Sequence, residues 1–122
     1  MSLEVLLVDE DTDVLEIVQT FLQQEDDLDV TSEPDPERAL DMALSGEYDA
    51  VVSDYTMPNL DGLELCSAIR EEDPELPFVL FSARDREEIQ SAAADAGVTA
   101  CVQKGTGTEQ YGELADRVRE AV

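Results

Sequence analysis

The chain has 122 residues, of which 43% are hydrophobic and 5% aromatic, so it suits one compact domain with an aliphatic core. Its 31 acidic residues far outnumber the 7 basic ones, and it contains no histidine. The net charge of −24 disfavours nucleic-acid binding, which depends on Lys and Arg displacing counterions from phosphates. The lack of histidine excludes His-based catalytic triads and imidazole proton shuttles.

The acidic residues are spread along the whole chain, and the single lysine is Lys104. This pattern predicts adaptation to a very salty cytoplasm, that is, a halophilic protein. No apolar run approaches the roughly 20 residues that span a bilayer, and no signal-peptide pattern is present. We therefore expect one cytoplasmic domain over residues 1–122 with no membrane partner. Because the strand pattern starts only at Glu4 or Val5, residues 1–3 are interpreted as a cloning remnant.

Five short apolar runs predict β-strands. The first and the third are typical of strands buried within a parallel sheet, whereas the second, LDVT, is half polar and typical of an edge strand. The runs are residues 5–8, 28–31, 50–52, 78–81 and 100–103.

Amphipathic segments between these runs predict five helices. Asp13 and Glu16 have the spacing of a capping box, and the apolar face of the helix that follows includes Ile17. Asp35 and Asp61 mark the starts of the next two helices. The helices are predicted at about residues 13–24, 35–45, 61–73, 85–96 and 109–122.

The regular alternation of strand and helix predicts an α/β fold, because right-handed crossovers place helices on both faces of a parallel sheet. Five strands suit the doubly wound order 2-1-3-4-5 of flavodoxin-like folds. The switch point of that order lies between the first and third strands, where such sheets bind their ligands. Cys66 and Cys101 fall in different elements, so reduced thiols are expected rather than a disulfide.

Chemically useful side chains follow four of the five strands. Asp9 and Glu10 end the first, Asp54 the third, Ser82 the fourth and Lys104 the fifth. Three carboxylates and one ammonium sum to −2, the charge that one Mg²⁺ cancels. With Mg²⁺ and Lys104 on the phosphoryl oxygens, Asp54 is a candidate nucleophile that carries an acyl phosphate, and Ser82 a hydrogen-bond donor to the transferred group.

Each of these residues also has a structural interpretation. Asp54 can simply start a turn, Ser82 can cap the next helix, and residues 9–11 can form a solvated acidic turn. The occurrence of chemically useful side chains at all four of these strand ends favours the chemical interpretation.

Four segments resemble the response-regulator receiver domain of two-component signalling, in the right order and over essentially the whole chain. They are VLLVDE at 5–10, SDYTMP at 53–58, FSA at 81–83 and VQK at 102–104.

The resemblance implies that Asp54 accepts a phosphoryl group from a sensor histidine kinase or a phosphotransfer protein. It further implies that Ser82 is the switch hydroxyl and Lys104 the phosphoryl-binding lysine. Such a domain catalyses at most its own phosphorylation and dephosphorylation, so it is not an enzyme in the usual sense. The implied Mg²⁺ ligands are Asp9, Glu10, Asp54 and the backbone carbonyl of Thr56.

Three positions differ from the usual family pattern. Glu10 stands where the second acidic residue is usually Asp, and Cys101 where a switching aromatic is common. Gly105 replaces a proline that follows a cis bond, and we expect a trans bond here because a cis bond before a non-proline residue costs about 3 kcal/mol.

Two other functions remain open at this point. VDEDT at 8–12 resembles the DxDxT motif of haloacid-dehalogenase-type phosphatases, which makes Asp9 the nucleophile and Asp11 the acid/base. The second alternative is an interaction module of the receiver fold that is never phosphorylated.

Overall fold

The computed structural model describes residues 2–57, 60–105 and 107–122. Strands and helices alternate throughout, as the sequence predicts. The elements are β1 (Leu3–Val8), α1 (Thr12–Gln23), β2 (Leu28–Glu33), α2 (Pro36–Ala43), β3 (Ala50–Ser53), α3 (Gly62–Glu72), β4 (Phe78–Ser82), α4 (Arg86–Ala96), β5 (Ala100–Gln103) and α5 (Glu109–Ala121).

The five strands form one parallel sheet in the order β2-β1-β3-β4-β5, which confirms the predicted fold. Two apolar layers cover its faces. Side chains of α1 and α5 pack on one face, and side chains of α2, α3 and α4 on the other. The inner strands are buried on both sides, so β1, β3 and β4 are apolar almost throughout.

The strand that opens the chain is longer than the sequence pattern suggested. It begins at Leu3, which pairs with Leu28 and packs against the α1/α5 layer. Met1 lies outside the described residues, as does Pro58 at the end of the SDYTMP segment.

Aspartates start four of the helices. Asp35, Asp61 and Asp85 accept hydrogen bonds from backbone N–H groups of α2, α3 and α4, and Asp61 forms a full capping box with Glu64. The predicted cap of α1 is wrong, because Asp11 accepts from the N–H groups at the start of this helix and Asp13 lies within it.

The apolar faces of the helices are narrower than predicted. In α1 the buried residues are Leu15, Val18 and Leu22, whereas Ile17 is 49% exposed. Val122, the last residue of the helix predicted at the end of the chain, is also exposed. Adjacent apolar residues of a helix, such as Ile17 and Val18, differ in direction by about 100°. Helix periodicity alone does not tell which of the two faces the sheet.

An arginine joins the last helix to the turn between α1 and β2. Arg119 donates to Asp27 at 2.7 and 2.8 Å and to Glu25 at 2.7 Å. These bonds hold the pKa of Asp27 below its usual value and raise the pKa of Arg119. The ion-pair cluster ties the end of α5 to the α1–β2 turn, at the end of the sheet opposite the candidate site.

Within the described residues, none of the helices is both long and apolar enough to cross a membrane.

Candidate functional site

The polar residues that follow the strands converge at one edge of the sheet. Backbone hydrogen bonds continue past the strand ends there: Asp54 N–H donates to the carbonyl of Val8 at 2.9 Å, and Lys104 N–H donates to the carbonyl of Ser82 at 2.7 Å. The backbones that carry these side chains are therefore held in register with the neighbouring strands.

The ammonium of Lys104 lies between two carboxylates. Its Nζ is 3.3 Å from Asp9 Oδ2 and 3.3 Å from Asp54 Oδ1. The side chains of Lys104, Asp9 and Asp54 are 21%, 7% and 17% exposed. A cation so placed neutralises part of the repulsion between two carboxylates that are largely removed from water.

Asp9 is the more deeply buried of the two acids. Its Oδ1 accepts a hydrogen bond of 3.0 Å from the N–H of Asp11. Burial raises the pKa of Asp9 above its ordinary value, and the Asp54 charge adds to this, whereas the Asp11 N–H and Lys104 act in the opposite direction. A divalent cation beside Asp9 would relieve the same cost of burial that Lys104 relieves only in part.

The segment that carries Asp54 is packed directly against the start of α3. Ser53 Oγ donates to the Asp54 carbonyl at 2.8 Å, and Gly62 N–H donates to the Tyr55 carbonyl at 2.8 Å. A Cβ on Gly62 would collide with the Asp54 carbonyl and stand 2.8 Å from Leu80 Cδ1. Sequence reasoning missed Gly62 and Ser53; the Asp61-Gly62 pair signals the helix start but not this close approach.

Ser82 is buried, only 2% exposed, at the end of β4. Its hydroxyl accepts a hydrogen bond of 3.1 Å from the N–H of Arg84. It does not cap α4, because Asp85 does. The Arg84 guanidinium lies 4.6 Å from the centre of the Tyr55 ring, so a cation–π contact joins the loops that follow β3 and β4.

A family model for the response regulator receiver domain matches residues 5–116. The chain belongs to this family. The match covers every strand end described above. Receiver domains are modules of two-component response regulators, and neither alternative function is favoured by this result.

Curated relatives agree with the assignment. The chain is 37% identical over 119 residues to the response regulator MprA of Mycobacterium bovis and, at the same level, to MprA of Mycobacterium tuberculosis. These alignments cover 98% of this chain and 50% of each relative. The chain thus spans about half the length of the curated relatives it matches.

Solved structures of response regulators share the fold of this chain. The receiver domain of the Francisella response regulator 1452 has a TM-score of 0.86 at 27% identity, covering 98% of this chain and 96% of that one. The Thermotoga maritima response regulator TrrA, solved in complex with Mg²⁺-BeF, has a TM-score of 0.86 at 25% identity and covers 100% of both chains.

Two of the predicted metal ligands of this receiver domain meet at one cation. Asp9 and Asp54 meet at Lys104, whereas Glu10 and Thr56 are exposed. Among residues 2–57, 60–105 and 107–122, no group of three acidic or thiol side chains is arranged to hold a metal ion. The Asp9 and Asp54 oxygens nevertheless fit Mg²⁺, which prefers hard oxygen donors and usually takes only one or two carboxylates. The roles of Glu10 and of the Thr56 carbonyl stay predictions.

The alternative nucleophile motif is used differently in this receiver domain. Asp11, the acid/base of the phosphatase interpretation, has its Oδ1 engaged by the N–H groups of Asp13 at 3.0 Å and Val14 at 3.3 Å. It serves as the cap of α1 rather than pointing a free carboxylate at Asp9.

The two positions that differ from the family pattern around β5 are ordinary in conformation. The peptide bond between Lys104 and Gly105 is trans, as expected. Cys101 is half-buried on β5, and both cysteines are free thiols. Burial raises the pKa of the Cys66 thiol to about 11 and raises that of Cys101 as well, so neither is a reactive thiolate at neutral pH.

Proposed function

We propose that the domain accepts a phosphoryl group on Asp54 from a phosphohistidine of a sensor kinase or phosphotransfer protein. The observation that carries this proposal is the Lys104 ammonium, held 3.3 Å from both Asp9 and Asp54 at the switch point of the sheet. Asp54 is partly exposed, so an incoming donor can reach it. Asp9 is more deeply buried and is better placed to support the site than to react.

In the transfer, an oxygen of the Asp54 carboxylate attacks phosphorus. An O–P bond forms as the P–N bond of the phosphohistidine breaks, and the imidazole nitrogen leaves with the bonding electron pair and takes up a proton. Lys104 stabilises the charge that spreads over the phosphoryl oxygens. When the Lys104 ammonium shifts from the two carboxylates to the phosphoryl oxygens, it remains within the same cluster of negatively charged groups.

Asp9 and Asp54 would hold Mg²⁺, with Glu10 and the carbonyl of Thr56 as the further donors. The ion, when bound, supplies charge neutralisation at the phosphoryl oxygens. The buried hydroxyl of Ser82, which accepts from the N–H of Arg84, would also donate its hydrogen to the transferred group. A shift of Ser82 toward that group would be passed to the β4–α4 loop through the bond to Arg84, and so offers a route from Asp54 to α4.

The proposed surroundings are a cytoplasm rich in salt. Two free thiols suit a reducing compartment, and the net charge of −24 suits high ionic strength. The net charge of −24 disfavours binding of nucleic acid by this chain, so the output would pass through a protein contact or a further part of a longer regulator.

Replacing Asp54 by Asn is expected to abolish phosphorylation. The amide has nearly the same shape but lacks the nucleophilic carboxylate oxygen. Wild type incubated with acetyl phosphate and Mg²⁺ should gain one phosphoryl group by intact-mass analysis, and Asp54→Asn none. Asp41→Asn, at an exposed site on α2, is the matched control and should be labelled like wild type. Equal labelling of the Asp54 variant would show that another residue is the acceptor.

Mg²⁺ is expected to stabilise the unphosphorylated domain at constant ionic strength. At a concentration 100 times the Kd, a ligand specific to the folded state adds about 2.7 kcal/mol. Glu10→Gln should weaken the effect, whereas Glu16→Gln, the same change of charge on the exposed face of α1, should not. The readout is the Tm as a function of Mg²⁺ concentration. A wild-type Tm that does not respond to Mg²⁺ would rule out this metal site.

A further inference from the structure

One side chain bridges the described residues of the loop between β5 and α5. Gln110, in the first turn of α5, accepts a hydrogen bond from the N–H of Gly105 at 3.0 Å and donates to the carbonyls of Gly105 at 3.1 Å and Gly107 at 2.7 Å. The N-cap residue Thr108 makes no side-chain bond to the helix. The amide of Gln110, rather than the side chain of Thr108, therefore joins the start of the helix to the loop before it.

Gln110 projects from a firmly anchored part of α5. The neighbouring Tyr111 stacks on Phe21 with ring centres 4.4 Å apart and lies 6.4 Å from the ring of Phe81. Leu114, one turn further on, is fully buried. The amide is thus presented by a helix that is packed against Phe21 and the core, and the residues that it binds are held relative to the core.

The residue that Gln110 holds directly follows Lys104. Lys104 is fixed on one side by the bond of its N–H to the Ser82 carbonyl at 2.7 Å. On the other side, both polar groups of Gly105 are bound by one amide. A lysine has a long flexible stem, so fixing the backbone on both sides of it limits where the ammonium can go.

We propose that Gln110 is the positioning residue for Lys104: its amide clamps the β5–α5 loop so that the ammonium lies between Asp9 and Asp54. This inference rests on the proposed function for the part that concerns phosphoryl transfer. The placement of the Lys104 side chain is a separate, directly measurable consequence. Groups that orient metal ligands in a comparable way typically change affinity or activity by 10- to 100-fold when they are lost.

The test uses the fact that Lys104 is the single lysine of the chain. Labelling with ¹³C-lysine gives one set of side-chain signals, whose chemical shifts and relaxation report the position and mobility of the ammonium end. Gln110→Glu keeps the shape and the acceptor but removes both donor bonds. A carboxylate in the first turn of a helix is favourable to the helix itself, so the change acts on the loop. Gln110→Ala removes all three bonds and is measured alongside.

A control variant separates the clamp from the effect of the added charge. Gln90→Glu makes the same change of charge at an exposed site on α4. It should leave the Lys104 signals and the phosphorylation rate as in wild type.

In both Gln110 variants, the Lys104 signals are expected to shift toward those of a free lysine and to relax as a more mobile group. The rate constant for phosphorylation by acetyl phosphate at saturating donor should fall about tenfold, with little change in the donor concentration that gives half the maximal rate. Unchanged Lys104 signals in both variants would overturn the proposal, and so would equal changes in Gln90→Glu. If wild type itself accepts no phosphoryl group, the proposed function fails, while the Lys104 signals still decide whether Gln110 positions this side chain.

Discussion

Raising the KCl concentration from 0.1 M to 1 M is expected to increase the Tm by more than about 10 °C. The chain carries 31 acidic and 7 basic residues, and the cations do little to offset this in the fold. Arg119 is shared among three acidic residues, and Lys104 lies in the candidate site. Most of the carboxylates therefore face solvent without a cationic partner nearby, and screening by salt must replace ion pairing.

The size of the effect follows from the charge and the radius. A net charge of −24, spread over a sphere of about 18 Å radius, gives an excess repulsion over the unfolded chain on the order of 20 kcal/mol at physiological ionic strength. At 1 M salt this falls below about 10 kcal/mol. Cation binding and movement of exposed carboxylates reduce both values. A remaining difference of a few kcal/mol still gives the expected increase, at about 3 to 6 °C per kcal/mol.

Salt can also raise the Tm by strengthening hydrophobic burial. A variant with fewer negative charges distinguishes this effect from the screening of repulsion. Glu71 and Glu72 are exposed in the last turn of α3, where negative charge also opposes the helix dipole. The double variant Glu71→Gln/Glu72→Gln should raise the Tm at 0.1 M KCl more than at 1 M. Moderate acidification at low salt should act in the same direction by protonating carboxylates. A wild-type Tm that is flat from 0.1 M to 1 M would show that the acidic surface does not reflect a need for salt.

The second large effect is expected from Gly62→Ala, which should lower the free energy of unfolding by about 2 to 3 kcal/mol. The added methyl group would overlap the Asp54 carbonyl and approach Leu80 Cδ1 to 2.8 Å, and both neighbours are held in the sheet. Either α3 moves away from the sheet or the backbone of Asp54 shifts. We therefore expect phosphorylation of Asp54 to slow at least about tenfold, because small displacements of a reacting group are costly.

Gly112→Ala is the matched control in a second helix. A Cβ at this position of α5 meets no atom within 4 Å, so replacing glycine by alanine should stabilise the domain by up to about 1 kcal/mol. Urea unfolding of both variants gives the two free energies. The explanation by close approach fails if both substitutions change stability by the same amount and in the same direction.

The sequence by itself determined the sheet and the residues at its edge. Buried parallel strands must be apolar on both faces, so each run ends sharply where the chain leaves the core, and Asp9, Asp54, Ser82 and Lys104 stand at those points. The parallel arrangement then brings them to the same edge whatever the details of the loops. This is why the strand order and the meeting of Lys104 with two of the carboxylates were predictable.

Tertiary structure alone decided what lies beyond the ends of the strands. Past Val8 the alternation of side-chain directions no longer applies, so the turn decides that Asp9 is buried, Glu10 exposed and Asp11 the cap of α1. Gly62 and Gln110 contact groups that lie outside their own helices. Gly62 leaves room for the carbonyl of Asp54, eight residues earlier, and Gln110 binds the loop that precedes its helix. Such contacts depend on the distance and angle at which a helix packs against the sheet. The local periodicity of the sequence carries no information about either.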